Sequence, residues 1–161
     1  AELASHEILV FLHADTRLEP GWLKELGQLK YPFWGAFTPI IDDQGLLFRL
    51  AEIWGRTRSH LSGIPYGDQC IFVKRDFFEK IGRFDTNIDF MEELELSRTL
   101  NRKYGKPAIM SSGAITSARR WKETGKGKVE REYLHSLKNL VVFLGFISGI
   151  PRDKLKKWYL N

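Results

Sequence analysis

Apolar and polar residues fall along the chain in blocks that read as strand, helix and turn in mixed succession. Residues 7–12, Glu-Ile-Leu-Val-Phe-Leu, form a short continuous apolar run, the pattern of a strand buried on both faces. It stops at the polar stretch His13-Ala14-Asp15-Thr16, where such a strand leaves its sheet. Glu19-Pro20-Gly21-Trp22 then opens a helix, with Pro20 at the first helical position and Leu23, Leu26 and Leu29 as its apolar stripe. Trp34 to Ile41 predicts a second strand, turned by Asp42-Asp43-Gln44-Gly45, and Leu46 to about His60 a helix. Gly67-Asp68-Gln69 leads into a strand at Cys70-Ile71-Phe72-Val73. A short helix follows, with Asp76 as its cap and Gly82 at its end. Met91 to Tyr104 is strongly helical and is closed by Gly105 and Pro107. Ala108 to Met110 and Ala114 to Ser117 read as two short strands. Two helices finish the chain, roughly Val129 to Phe146 and then one opened by Pro151 that runs to Tyr159. No repeat and no long linker divides the chain, so 1–161 reads as a single mixed α/β domain.

The 161 residues are enough to bury a core, and 43% hydrophobic with 28% charged residues is a globular profile that excludes disordered and low-complexity classes. A single cysteine, Cys70, excludes an internal disulfide and a Cys-rich zinc site, and its apolar neighbours Ile71, Phe72 and Val73 favour an inert, buried thiol. No early apolar run has the form of a signal peptide. The opening residues read as the lead-in to an internal strand of a longer protein. No stretch reaches ~18 apolar residues; the longest, Leu140 to Ile150, is broken by Gly145, Ser148 and Gly149 and reads as a buried or interfacial helix end.

The net charge of +5 hides an asymmetry. Residues 1–117 carry 14 basic and 16 acidic side chains, whereas residues 118–161 carry 11 basic and 4 acidic ones. A cationic C-terminal third points to a polyanionic neighbour such as a diphosphate or an anionic membrane surface, or else to a solvated Lys-rich helix face. Nucleic acid is set aside, because no recognition motif or aromatic platform accompanies the charge. The aromatic helices near Trp54 and Trp158 offer a surface for homo-oligomer association.

Three segments could carry chemistry. Asp15, just beyond a strand end and beside His13, sits where open α/β sheets place ligand-binding groups and could hold a hard divalent cation on phosphate oxygens. Alternatively Asp15 caps a turn and His13 is a plain loop residue. In Met91-Glu92-Glu93-Leu94-Glu95 the carboxylates crowd a helix start. Asp89 with Glu92 fits a capping box, which leaves Glu92 or Glu93 free to act as a general base toward a hydroxyl. Ser117-Ala118-Arg119-Arg120-Trp121 offers paired guanidinium groups to a diphosphate and a ring to stack upon, or it is ordinary surface charge. Asp68, in Gly67-Asp68-Gln69, either binds a substrate hydroxyl or caps a turn.

Taken in order, these segments resemble family 2 glycosyltransferases of the GT-A fold. His13-Ala14-Asp15-Thr16-Arg17-Leu18 with Pro20-Gly21-Trp22 is similar to their aspartate-containing metal motif. Phe77 through Gly82-Arg83-Phe84-Asp85, followed by Met91-Glu92-Glu93-Leu94-Glu95-Leu96-Ser97-Arg98, is similar to the segment that carries their catalytic acid residue. The run as a whole resembles the bacterial rSAM/selenodomain-associated transferase 2 subgroup, on Gly67-Asp68-Gln69, Met91-Glu92-Glu93 and Thr116-Ser117-Ala118-Arg119-Arg120-Trp121. The resemblance implies a Rossmann-like mixed sheet flanked by helices, with helices at the C-terminal end, forming the C-terminal two-thirds of a GT-A domain. It implies metal-assisted, inverting transfer of a sugar from a nucleotide-diphosphate-sugar donor to an acceptor hydroxyl. Asp15 would hold Mn²⁺ or Mg²⁺, and Glu93 would be the base with Glu92 as its neighbour. His13, Asp68, Gln69, Arg119, Arg120 and Trp121 would contact substrates.

The chain departs from the family at three points: His13 stands in place of the first aspartate, Glu93 in place of aspartate and Ser117 in place of glutamine. The family's upstream nucleotide-binding strands have no counterpart before Ala1. A non-catalytic GT-A-like binding or interaction domain is therefore the alternative expectation. The expected setting is cytoplasmic and peripheral to the membrane, with a lipid-linked acceptor among the options.

Overall fold

The computed structural model describes residues 3–30, 34–119 and 128–160, with 128–136 described by backbone alone. It is mixed α/β, with a curled five-stranded sheet and flanking helices. In chain order the elements are β1 (Ile8–Val10), β2 (Thr16–Leu18), α1 (Trp22–Gln28), β3 (Trp34–Ile41), α2 (Leu46–Ser62), a 3-10 turn (Gly67–Gln69), β4 (Phe72–Lys74), α3 (Arg75–Lys80), α4 (Glu92–Tyr104), β5 (Ala108–Thr116), α5 (Lys128–Ile147) and α6 (Arg152–Leu160). The strands lie in the order β1-β4-β3-β5-β2. Only β3 and β5 are parallel; the other pairs are antiparallel.

The curl follows from connectivity. Strands β1 and β2 occupy opposite edges, yet only residues 11–15 separate them. Four strand spacings in a flat sheet span roughly 19 Å, close to the full reach of six extended residue steps, about 21 Å. The link is not fully extended, because the Thr16 N–H turns back to the His13 carbonyl at 3.1 Å. The edges must therefore curl toward each other. This crossing loop carries His13 and Asp15 across one end of the sheet.

Side chains alternate between the two faces, as the strand pleat requires. On one face Leu9, Trp34, Ile71 and Val73 pack with Phe78, Leu96 and Leu100 of α3 and α4. On the other, Phe37, Phe72, Met110 and Ala114 pack with Cys70 and with Leu26 of α1. A separate cluster of Ile64, Met91, Leu94, Val142, Phe143, Phe146 and Leu155 joins α5 and α6 to the start of α4. Among the described residues no helix is long and apolar enough to cross a membrane.

Several local expectations change. The 7–12 run is an edge strand, not one buried on both faces: Leu9 is buried while Ile8 and Leu12 are exposed. Edge position, which an apolar run cannot reveal, makes the difference. Strand β2 occupies residues read as a polar break and helix lead-in. The two short strands expected after Pro107 are one strand, β5, with an irregularity opposite Ala36 and Thr38. Asp76 does not cap α3, whose N-cap is Lys74. The Asp89–Glu92 capping box is absent: Met91 is the N-cap of α4, without a side-chain cap bond, and Asp89 pairs with Lys156.

The β5 irregularity has its own anchor. The Glu25 carboxylate of α1 accepts the Ser111 N–H at 2.7 Å, the Ser111 hydroxyl at 2.6 Å and the Ser112 N–H at 2.9 Å, and it also accepts the Ser112 hydroxyl. Partial burial alone would raise this carboxyl, but the four hydrogen bonds hold it down to about 2. A depressed carboxyl stabilises the fold fully above its ordinary value of 4.5 and loses that contribution as pH falls toward about 2. Glu25→Gln should lower stability by about 1–2 kcal/mol at pH 7, after discounting for solvent exposure. In urea unfolding, the variant and the unaltered chain should converge as pH approaches 2; an undiminished difference there would detach the effect from the carboxylate.

Candidate functional site

The parallel strands β3 and β5 end side by side at Ile41 and Thr116, and the 3-10 turn Gly67–Gln69 lies against them. Gln69 fixes this turn. Its side-chain oxygen accepts the Ser59 hydroxyl at 2.7 Å, Arg58 Nη2 at 3.0 Å and the Tyr66 N–H at 3.2 Å, while its amide nitrogen donates to the Phe37 carbonyl at 3.3 Å. Gln69 is fully buried, and every one of these bonds goes to the fold. It holds the turn in place from inside the fold.

With the turn held this way, Gly67 becomes a crossing point. A Cβ built on Gly67 would stand 2.7 Å from His13 Nε2 and 3.0 Å from Glu93 Cγ. The imidazole of the crossing loop and the Glu93 side chain of α4 therefore meet over a bare Cα, an approach that only glycine permits. Asp68, the next residue, is the common electrostatic neighbour of His13, Asp15, Glu93 and Arg58. His13 and Glu93 thus gather at the turn that carries Asp68, with Asp15 near enough to act on Asp68 by its charge.

The carboxyls of Asp68 and Glu93 are perturbed. Asp68 keeps solvent access yet is ringed by protein, and this crowding pushes its carboxyl upward; Arg58 and His13 pull it back, and Asp15 adds to the rise. Glu93 is half-buried, and its carboxyl is also pushed up, first by burial and further by Glu92 and Asp68, against its own helix-start N–H and His13. A raised carboxyl in a cleft suits proton acceptance from a hydroxyl near neutral pH.

The other acidic residues have separate tasks. Glu92 is exposed and lies outside this arrangement except through its charge on Glu93. Glu95 accepts Arg98 Nη2 at 2.6 Å and pairs with Arg152, tying α6 to α4. The backbone carbonyl of Asp15 accepts the Ser117 N–H at 3.0 Å, which sets residues 117–119 beside the crossing loop. Arg119 is exposed there, its N–H on Ser117 Oγ at 3.3 Å. Arg120 and Trp121 lie outside the described residues. Cys70 is buried as expected, and burial pushes its thiol up to about 12 against a bond from the His13 backbone.

Sequence reasoning missed Arg58. Its guanidinium is buried under the Tyr66 ring, 3.5 Å from the centroid, with Nη1 on the Ile64 carbonyl at 2.7 Å. Burial lowers its pKa, although Tyr66 and Asp68 oppose the shift. Nothing in the local sequence separates it from Arg49 and Arg56 on the same helix. Its neighbour Tyr66 is pushed up to about 12, chiefly by burial.

Among the described residues, no three His, Cys, Asp or Glu side chains cluster closely enough to cage a metal ion. Asp15 and His13 each act electrostatically on Asp68, in opposite senses.

Comparison with protein-family models, with curated proteins and with solved structures finds no match to this chain.

Gln69→Leu tests the anchor. It would strand the Arg58 fork, the Ser59 hydroxyl, the Tyr66 N–H and the Phe37 carbonyl together. Urea unfolding should show a loss of about 3 kcal/mol or more; a loss under about 1 kcal/mol would mean that the turn is held by other contacts.

Proposed function

We propose that this chain is a glycosyltransferase of the GT-A type, moving a sugar from a nucleotide-diphosphate-sugar donor to an acceptor hydroxyl with inversion at the sugar carbon. The observation that carries the reading is the gathering of His13 and Glu93 at the turn that carries Asp68, with Asp15 near enough to act on Asp68 by its charge, at the ends of the two parallel strands. The sequence resemblance assigns its metal and base positions to two of these same residues, Asp15 and Glu93. The mixed sheet with flanking helices is compatible with a Rossmann-like domain.

Glu93 takes the proton from the acceptor hydroxyl as the acceptor oxygen bonds to the anomeric carbon. The bond from that carbon to the diphosphate breaks, and its electron pair leaves with the nucleoside diphosphate. Asp68 accepts a hydrogen bond from an incoming hydroxyl and orients it toward Glu93. Asp15 would hold a divalent cation, Mn²⁺ or Mg²⁺, and His13 would lie near it. When bound, that cation offsets the charge developing on the leaving group. Arg119 adds to that field. The expected setting is at an anionic membrane surface, which the excess of basic residues after 117 would favour.

Nucleotide titration separates transfer from a purely binding role. A thermal shift should require both Mn²⁺ and a nucleoside diphosphate, and at a hundredfold excess over Kd it corresponds to about 2.7 kcal/mol. Asp15→Ala should remove the shift. Glu93→Gln should keep it while turnover falls by ~10²–10⁴. Because the Glu93 carboxyl is raised, the acidic limb of the rate profile should lie above the ordinary carboxylate range, with activity growing as Glu93 loses its proton. Full activity in Glu93→Gln would remove it as the base, and the absence of any metal-dependent nucleotide shift would favour a non-catalytic binding domain.

A further inference from the structure

A second feature opens from Asp68. On its far side lies a groove of about 360 Å³ between α2, the ends of β3 and β5, and α5, within the range of about 300–1,000 Å³ usual for small-molecule sites. Ile40, Leu47, Leu50, Trp54, Leu137 and Leu140 form its apolar walls. Three of these large side chains are exposed: Leu50 by 54%, Trp54 by 44% and Leu137 by 55%. Asp68 also lines the groove, and Glu93 and Asp15 are coupled to it by charge.

The charges around the groove select the kind of occupant. Glu52 points no spare charge into it, because its carboxylate holds Arg49 Nη1 at 2.7 Å and the Ile41 N–H at 2.6 Å. Both Arg58 Nη atoms bond to the Ile64 carbonyl and Gln69, its ring-stacked face is covered by Tyr66, and its Nε is sealed from solvent without a partner. Among the described residues that line it, the groove therefore presents no accessible cation along its apolar length. At its polar end Asp68, backed by Asp15 and Glu93, repels an anion and accepts a hydrogen bond from a hydroxyl.

We propose that this groove is an acceptor site and that its occupant is a neutral amphiphilic alcohol, with its apolar body between α2 and α5 and its hydroxyl on Asp68. The role of acceptor rests on the glycosyl-transfer reading; occupancy of the groove by such an alcohol does not.

The test is calorimetric titration of the full chain with n-alkan-1-ols from hexanol to decanol. Affinity should rise about fourfold per methylene and level off once the groove is filled. Leu50→Glu and Trp54→Ala change exposed side chains, so circular dichroism should show the fold retained while decanol binding weakens at least fivefold. Leu144→Glu is the control. It alters a different apolar hollow, of about 500 Å³, between α5 and α6, and should leave decanol affinity unchanged. Decyl sulfate should bind at least tenfold more weakly than decanol.

Affinity unaltered in Leu50→Glu and Trp54→Ala, lost in Leu144→Glu, or equal for the alcohol and the sulfate would overturn the proposal. The nucleotide shift is read separately. Alcohol binding without a nucleotide shift keeps the groove assignment and removes glycosyl transfer, and the opposite result removes the groove assignment alone.

Discussion

The buried amide of Gln69 is the constraint on which the arrangement depends. One oxygen takes hydrogen bonds from two consecutive residues of α2 and from the backbone at Tyr66, while the amide nitrogen reaches β3. Helix, strand and turn are thereby fixed to one another at a place without access to water, where an unmet bond is costly. Arg58 is held in the same knot, between Gln69 and the Tyr66 ring. With these pieces locked, Gly67 and Asp68 have little choice of position. The closeness of His13 and Glu93 over Gly67 is a consequence of that anchoring.

The crossing loop is fixed just as firmly. At one end the Phe11 N–H bonds to the Ile71 carbonyl at 2.9 Å; at the other, the Ser117 N–H bonds to the Asp15 carbonyl at 3.0 Å. Residues 11–15 are thus tied to the sheet on both sides, with His13 and Asp15 between or at the ties. Such a loop places side chains with the precision of a strand, which a site needs when its parts come from distant segments. Curl and site are coupled, since the short loop that forces the sheet edges together is also the one that carries the imidazole and the carboxylate.

Much of the architecture was legible in the sequence, for identifiable reasons. β3 lies within its predicted bounds because Trp34 to Ile41 is a long apolar run closed by an Asp-Asp-Gln-Gly turn. Helices α2, α4, α5 and α6 carry periodic apolar faces and clear stops, and their ends agree within about two residues. Edge strands were the weak point. β2 is only three residues, Thr-Arg-Leu, and owes its existence to pairing with Thr116, Ile115 and Ala114, contacts a hundred residues away that no local pattern encodes. At the site, Asp15, Asp68 and Glu93 were identifiable as chemistry-bearing residues, but their meeting was not. Gln69 and Arg58 resisted for another reason: a buried polar side chain looks like a surface one in sequence until its partners are known.

The division of work among the acidic residues then explains why Glu93, rather than its neighbours, suits proton transfer. Glu95 is neutralised by two arginines and Asp89 by Lys156, so each already has a structural partner. Glu92 is exposed, where water screens it. The Glu93 carboxyl is shaped by burial, by two carboxylates and by one imidazole, together with its own helix-start N–H. Burial and like charge both favour its protonated form, which makes its carboxylate a stronger proton acceptor than a solvated one. The same crowding acts on Asp68, whose charge is one of the influences that raise Glu93, so the two carboxyls do not titrate independently. His13 opposes the upward shift of both Asp68 and Glu93. The His13 imidazole stands where a second aspartate in the resembling motif would have added another like charge to an already crowded site.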